Sequence, residues 1–156
     1  MVATCDLPEG AFLARYLDVG HTDCYFVDVP QDVSFEAFVT AFYTTWLFKL
    51  ERQILRLVKR PSTDAEAAAL AAGTRAQFAA WDVEARDGAQ ILMCDMGGRT
   101  RSWLKVASVD RGTRLYFGSA VVPDQKSGKM GWVFRALMGF HKLYSVMLLR
   151  AAVRNL

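Results

Sequence analysis

Donors for a soft metal are scarce in this chain, which has two histidines and three cysteines, and Cys5, Cys24 and Cys94 form no CxxC pair. That spacing excludes a zinc ribbon or finger, and an odd cysteine count indicates no disulfide framework. A reduced cytoplasmic compartment is the natural home, and no cofactor or metal is expected. Also missing are GxSxG, the P-loop, GxGxxG, HExxH and the EF-hand pattern, so none of the common nucleophile, phosphate or metal devices is legible. The opening MVATCDLPEG has neither a basic region nor an apolar run, so no secretory leader is expected. Residues 130 to 149 are the longest apolar stretch, but Arg135, His141 and Lys142 interrupt it and make it a poor membrane span. Only peripheral contact with a membrane is left open.

What the chain does have is apolar content. With 156 residues, 53% apolar and 22% charged, it is neither disordered nor collagen-like, and it reads as a single domain over 1–156. At this length folding buries roughly 68–70% of the surface of the unfolded chain, so a core forms without a staple. The net charge of +3 is too small to indicate a nucleic-acid partner, and none is expected. Its distribution is uneven: residues 1 to 48 hold seven acids against Arg15 alone, whereas from Lys126 onward there are six basic residues and no acid. An acidic N-terminal face complementing a basic C-terminal helix accounts for this most simply.

An N-terminal segment, 1–21, precedes an alternating strand at 22–29 that Pro30 ends. A helical insert follows at 34–72. Ser34 caps its first helix, which carries Phe35, Phe38, Val39 and Phe42 on one face, and Thr44-Thr45 marks a break before a second stretch. Lys49, Arg52, Arg56 and Lys59 make a solvated stripe on that stretch, and Pro61 stops it. Thr63 and Glu66 form a capping box for a short Ala-rich helix, closed by Gly73. From 75 to 122, the turn dipeptides Asp87-Gly88, Gly97-Gly98 and Arg111-Gly112 divide the chain into a four-strand antiparallel meander.

Taken as two-residue hairpins, these turns set Arg86 opposite Ala89, Met96 opposite Arg99 and Asp110 opposite Thr113. One sheet face then holds Trp81, Val83, Leu92, Cys94, Arg101, Trp103, Lys105, Tyr116 and Gly118. The other holds Asp82, Glu84, Ile91, Met93, Asp95, Ser102, Leu104, Val106, Leu115, Phe117 and Ser119. Neither is a clean polar face, so something other than water covers part of each. The long helix at 130–154 presents Val133, Leu137, Phe140, Tyr144, Met147, Leu148 and Ala151 as one stripe. Val146, Leu149 and Val153 lie opposite and need a second cover, either from a homodimer partner or from the helices at 35 to 60.

The segments Arg99-Thr100-Arg101-Ser102-Trp103-Leu104, Leu115 to Val121 and Gly139-Phe140-His141-Lys142-Leu143-Tyr144-Ser145 resemble a family of uncharacterised bacterial proteins. Members of that family resemble the START and pollen-allergen helix-grip superfamily (SRPBCC). The resemblance runs from about residue 22 to the end. It implies an α+β helix-grip fold, with a curved antiparallel sheet packed on the long C-terminal helix and, in many members, a cavity for lipids, steroids or polyketides between them. Five strands are legible here, where the superfamily has six or seven. No catalytic residues come with the resemblance.

Trp81, Arg101, Trp103, Tyr116, His141 and Tyr144 are the candidate ligand-binding residues. In this reading the aromatic side chains surround an apolar body and Arg101 holds an anionic head; simple packing, with basic stems passing aromatic rings, is the competing account. His141, at the edge of the helical stripe, is the one weak catalytic candidate, as the acid or base of a cyclase or hydrolase with Tyr116 or Tyr144 as proton donor. Ser102 and Ser119 have no base in assured reach, and Asp82, Glu84 and Asp95 read as a solvated edge. The leading expectation is a non-catalytic binder of a small hydrophobic or amphipathic molecule. The alternatives are a helix-grip enzyme using His141 and a homodimeric interaction protein without a ligand.

Overall fold

The computed structural model describes residues 1–50, 62–122 and 132–156, with residues 132–141 as backbone only. Its strands are β1 (Ala3–Thr4), β2 (His21–Val29), β3 (Gln77–Phe78), β4 (Trp81–Arg86), β5 (Gln90–Asp95), β6 (Thr100–Val109) and β7 (Gly112–Val121). They form one antiparallel sheet in the order β1-β2-β7-β6-β5-β4-β3. The two strands beyond the expected five, β1 and β3, have two residues each, too few for alternation to show in a sequence. The helices are α1 (Phe35–Tyr43), α2 (Asp64–Ala71) and α3 (Trp132–Arg154), with a 3-10 helix at Phe12–Tyr16. None of them is long and apolar enough to cross a membrane, among the described residues.

The helix ends follow local chemistry. Ser34 Oγ accepts the Ala37 amide at 3.1 Å and starts α1. Thr44 Oγ1 donates to the Thr40 carbonyl at 2.7 Å, and Thr45 Oγ1 accepts the Phe48 amide at 3.1 Å, so the expected break is a helix end followed at once by a new cap. The helix that begins there is described over 46–50; Arg52, Arg56, Lys59 and Pro61 lie outside the described residues, while Lys49 pairs with Asp64 at 2.7 Å. Both bonds of the Thr63–Glu66 capping box are present, at 2.8 and 3.2 Å. At the far end of α2 the Arg86 guanidinium donates to the Leu70 and Ala71 carbonyls and lies 5.3 Å from the centre of the Phe35 ring, so a strand residue caps the helix.

Three corrections apply to the hairpins. Arg86 pairs with Ile91 rather than Ala89, because the Asp87 carboxylate accepts the Ala89 and Gln90 amides at 2.7 and 2.8 Å and centres the turn on Gly88-Ala89. Val109 pairs with Gly112, so the last turn is centred on Asp110-Arg111 rather than Arg111-Gly112. Each of these moves the pairing by two residues and keeps the faces. The third changes a face: a β-bulge between Val83 and Ala85 pairs Trp81 with Asp95 and Val83 with Met93. Trp81 and Val83 therefore lie on the side of Ile91, Met93 and Leu104, not with Leu92 and Trp103 as the hairpin register predicts.

Each face of the sheet has its own cover. On one side Tyr25, Val27, Ile91, Met93, Leu104, Leu115 and Phe117 pack against α1, α2 and α3. On the other, Cys24, Leu92, Trp103, Tyr116 and Ala120 pack against Ala11 and Leu13 of the N-terminal segment. The buried line of α3 runs through Ser145, Leu148, Leu149 and Ala152, while Leu143 and Met147 are exposed. Leu149, expected on an uncovered side, is thus fully buried in the same chain, and α1 packs against α3. The apolar surplus that suggested a homodimer partner is in large part internal. Among the acids of the N-terminal half, Asp28 meets Arg114 of β7 at 2.6 Å.

Gly112 has a φ of 116°, and a Cβ there would stand 2.1 Å from the Val29 carbonyl oxygen. The atoms it would meet are all backbone, of Val29, Pro30 and Gln31, and cannot swing aside as a side chain could. Gly112→Ala is expected to destabilise the fold by about 3 kcal/mol or more, read from the urea midpoint at constant m-value.

Candidate functional site

On the helix side of the sheet the side chains change from apolar to polar along the strands. Tyr25, Phe117, Leu104 and Ile91 form one row of cross-strand partners, and Asp23, Ser119, Ser102 and Met93 form the row two residues further along. Beyond it Trp81 pairs with Asp95, and Thr100 with Val121. At this polar end lies a cavity of about 450 Å³ between sheet and helices. Phe42 of α1, Phe48 of the helix starting at 46, and Tyr144 and Leu148 of α3 form one wall; Trp81 and Phe117 form the other. Asp95, Thr100, Arg101, Ser102 and Ser119 supply its polar lining, with Met96 and Ala80 at the turns. Aromatic and aliphatic walls with convergent polar groups at one end are the ordinary make-up of a small-molecule pocket.

The polar groups are partly engaged with one another. Ser119 Oγ donates to Asp23 Oδ1 at 2.6 Å, and the Ser119 amide reaches the same oxygen at 3.2 Å. Tyr25 donates its hydroxyl to Asp23 Oδ2 at 3.3 Å; burial first, and the Asp23 carboxylate second, push this phenol up from its ordinary value, so it stays a donor. Asp95 Oδ1 accepts the Arg99 and Thr100 amides at 2.8 Å each and closes the Gly97-Gly98 turn beside the cavity.

Of the six residues chosen from the sequence, Trp81, Arg101 and Tyr144 border the cavity. Trp103 and Tyr116 do not: they pack together on the opposite face, ring centres 6.0 Å apart, under the N-terminal segment. The Trp103 indole donates to Gln90 Oε1 at 2.8 Å and is fully buried. The side chain of His141 lies outside the described residues. Alternation places Ser102, Ser119, Asp95 and Phe117 on one face, but nothing in their spacing marks them as a pocket lining. Asp23, too, follows from pairing β2 with β7, which the sequence does not specify.

Arg101 is committed to structure. Its Nε donates to Glu84 Oε2 at 2.7 Å and to the Tyr16 hydroxyl at 2.9 Å, and its Nη1 donates to the Gly98 carbonyl at 2.8 Å. The Tyr16 ring centre is 4.7 Å from the guanidinium, Tyr16 donates to Glu84 Oε1 at 2.6 Å, and Arg15 adds a contact at 3.2 Å. Through these bonds Arg101, expected as an anionic-head anchor, ties the N-terminal segment to the sheet. Burial alone would raise Glu84, but its bonds from Tyr16 and Arg101 outweigh that and hold it below the usual carboxylate range. A carboxylate lowered by folding contributes stability above its unfolded pKa of about 4.3 and loses it as pH falls through the lower folded value. Arg101→Ala is expected to cost about 1.5–3 kcal/mol at pH 7 and to flatten the loss of stability below about pH 4, measured by urea denaturation across pH.

Among the described residues no group of three or more His, Cys, Asp or Glu side chains is placed to hold a metal ion. Comparison with protein-family models and with curated proteins gives no match. Among solved structures, the crystal structure of CalU16 from Micromonospora echinospora is similar over 99% of this chain and 90% of its own, at 10% identity and a TM-score of 0.34.

Proposed function

We propose that the protein binds a small hydrophobic or amphipathic molecule, without catalysing a reaction, in the cavity between the sheet and the C-terminal helix. The observation that supports this is the cavity itself: about 450 Å³, walled by Phe42, Phe48, Trp81, Phe117 and Leu148. A volume of that order suits a compact ligand, and the aromatic walls favour a flat or ring-containing body. An antiparallel sheet packed on a long last helix is the arrangement that the helix-grip reading requires. The ligand's polar end meets Ser102 and Ser119 rather than Arg101, so hydroxyl or carbonyl groups fit better than a carboxylate head.

Thermal shift with sterols, polyketide-like aromatics and fatty acids tests the reading. A true ligand at 100 times its Kd stabilises the fold by about 2.7 kcal/mol, or roughly 5–11 °C for a chain of this size. Ser102→Leu, which places four carbons in the cavity, is expected to weaken binding at least about tenfold while the protein remains folded. Absence of a shift with all three classes, or equal binding by Ser102→Leu, would overturn the cavity as the site.

A further inference from the structure

The N-terminal segment is tied to the sheet at several points, and one of them carries two thiols. Cys5 follows β1, and its amide donates to the Cys24 carbonyl at 3.1 Å, extending the β1–β2 ladder by one residue. The two sulfurs are 3.2 Å apart, and both cysteines are free. A disulfide needs about 2.0 Å between sulfurs and a Cα separation found between adjacent strands. Small side-chain rotations suffice. We propose that Cys5 and Cys24 are a site of reversible oxidation, joined as a disulfide by exchange with a low-molecular-weight disulfide.

The two thiols have different parts in the exchange. Cys24 is buried, while Cys5 is partly exposed and meets the oxidant first. The Cys5 thiolate attacks one sulfur of the external disulfide, forming a mixed disulfide and releasing one thiolate. Cys24 then loses its proton to solvent and attacks the Cys5 sulfur, expelling the second thiolate. In balance, the chain gives up two electrons and two protons, and one external disulfide becomes two thiols. Burial, with Cys5 and Asp23 nearby, holds the Cys24 thiol well above its ordinary pKa, which slows this second step; the 3.2 Å approach offsets it.

Closing this bond puts the 3-10 helix Phe12–Tyr16 inside a covalent loop fastened to β2 at Cys24, which limits how far the cover over Trp103 can open. Cys94 takes no part, its Sγ donating to the Asp95 carbonyl at 3.2 Å. The inference stands apart from the cavity reading, because neither cysteine borders the cavity.

The full chain is incubated with glutathione disulfide, then alkylated and mapped by mass spectrometry. The expected result is loss of two hydrogens, a peptide linking Cys5 to Cys24, alkylation at Cys94 alone, and a melting midpoint raised by about 6–12 °C. Cys5→Ser is expected to show neither the link nor the rise, and Cys24→Ser to stop at a stable glutathione adduct on Cys5. If Cys24→Ser fails to fold, the Cys5→Ser comparison decides. Persistence of all three thiols, a glutathione adduct remaining on Cys5 in the unchanged chain, a link involving Cys94, or a link with no change in midpoint overturns the proposal.

Discussion

One extra residue in β4 governs much of this structure. The bulge between Val83 and Ala85 turns Trp81 toward the helices and leaves Glu84 on the opposite face. With regular pairing Trp81 would lie beside Trp103 and the cavity would lose a wall. Glu84, in turn, would point among Ile91 and Met93, an uncompensated carboxylate in an apolar layer. With the bulge in place, Glu84 meets Arg101 and Tyr16, and the aromatic ring and the acid both find suitable surroundings.

A sheet apolar on both sides requires two covers, and they differ in kind. The helices supply a thick one, with Phe38, Phe42, Tyr43 and Phe48 interlocking at ring-centre separations of 4.9 to 6.4 Å. The N-terminal segment is thin and depends on polar fastening. Gln90, almost fully buried, accepts from the Phe12 amide and the Trp103 indole and donates to the Gly10 carbonyl, each at 2.8 to 3.0 Å. One amide thereby satisfies three groups and joins the N-terminal segment to β6. The cavity lies on the thick side, where large rings hold the helices at a distance from the sheet.

Local rules made several features legible in the sequence. Ser34, the Thr63–Glu66 box, Gly73 and the Thr44-Thr45 break act within a few residues, and each is where the pattern placed it. The alternation of β5, β6 and β7 assigned their faces correctly even where two turns were miscentred, since a shift of two preserves the side. The bulge escaped because nothing in Trp-Asp-Val-Glu-Ala-Arg marks an extra residue: its cause is the tertiary pairing of Glu84 with Arg101. Of the residues singled out in the sequence, Trp81, Arg101 and Tyr144 border the cavity and Trp103 and Tyr116 lie under the N-terminal cover, because aromatic residues on the two sides look alike in a sequence. The Cys5–Cys24 approach was hidden by a separation of 19 residues.

The N-terminal cover also has a consequence in time. Its partners Glu84, Gln90 and Arg101 lie 68 to 85 residues further along the chain, and β2 must wait for β7. During synthesis Phe12, Leu13 and Tyr16 therefore emerge with nothing to pack against and remain in water until the meander is complete. Such distant closures are slow, and the incomplete chain carries exposed apolar surface that invites self-association. The N-terminal segment leaves the ribosome before the meander and is among the last parts of this fold to reach its place.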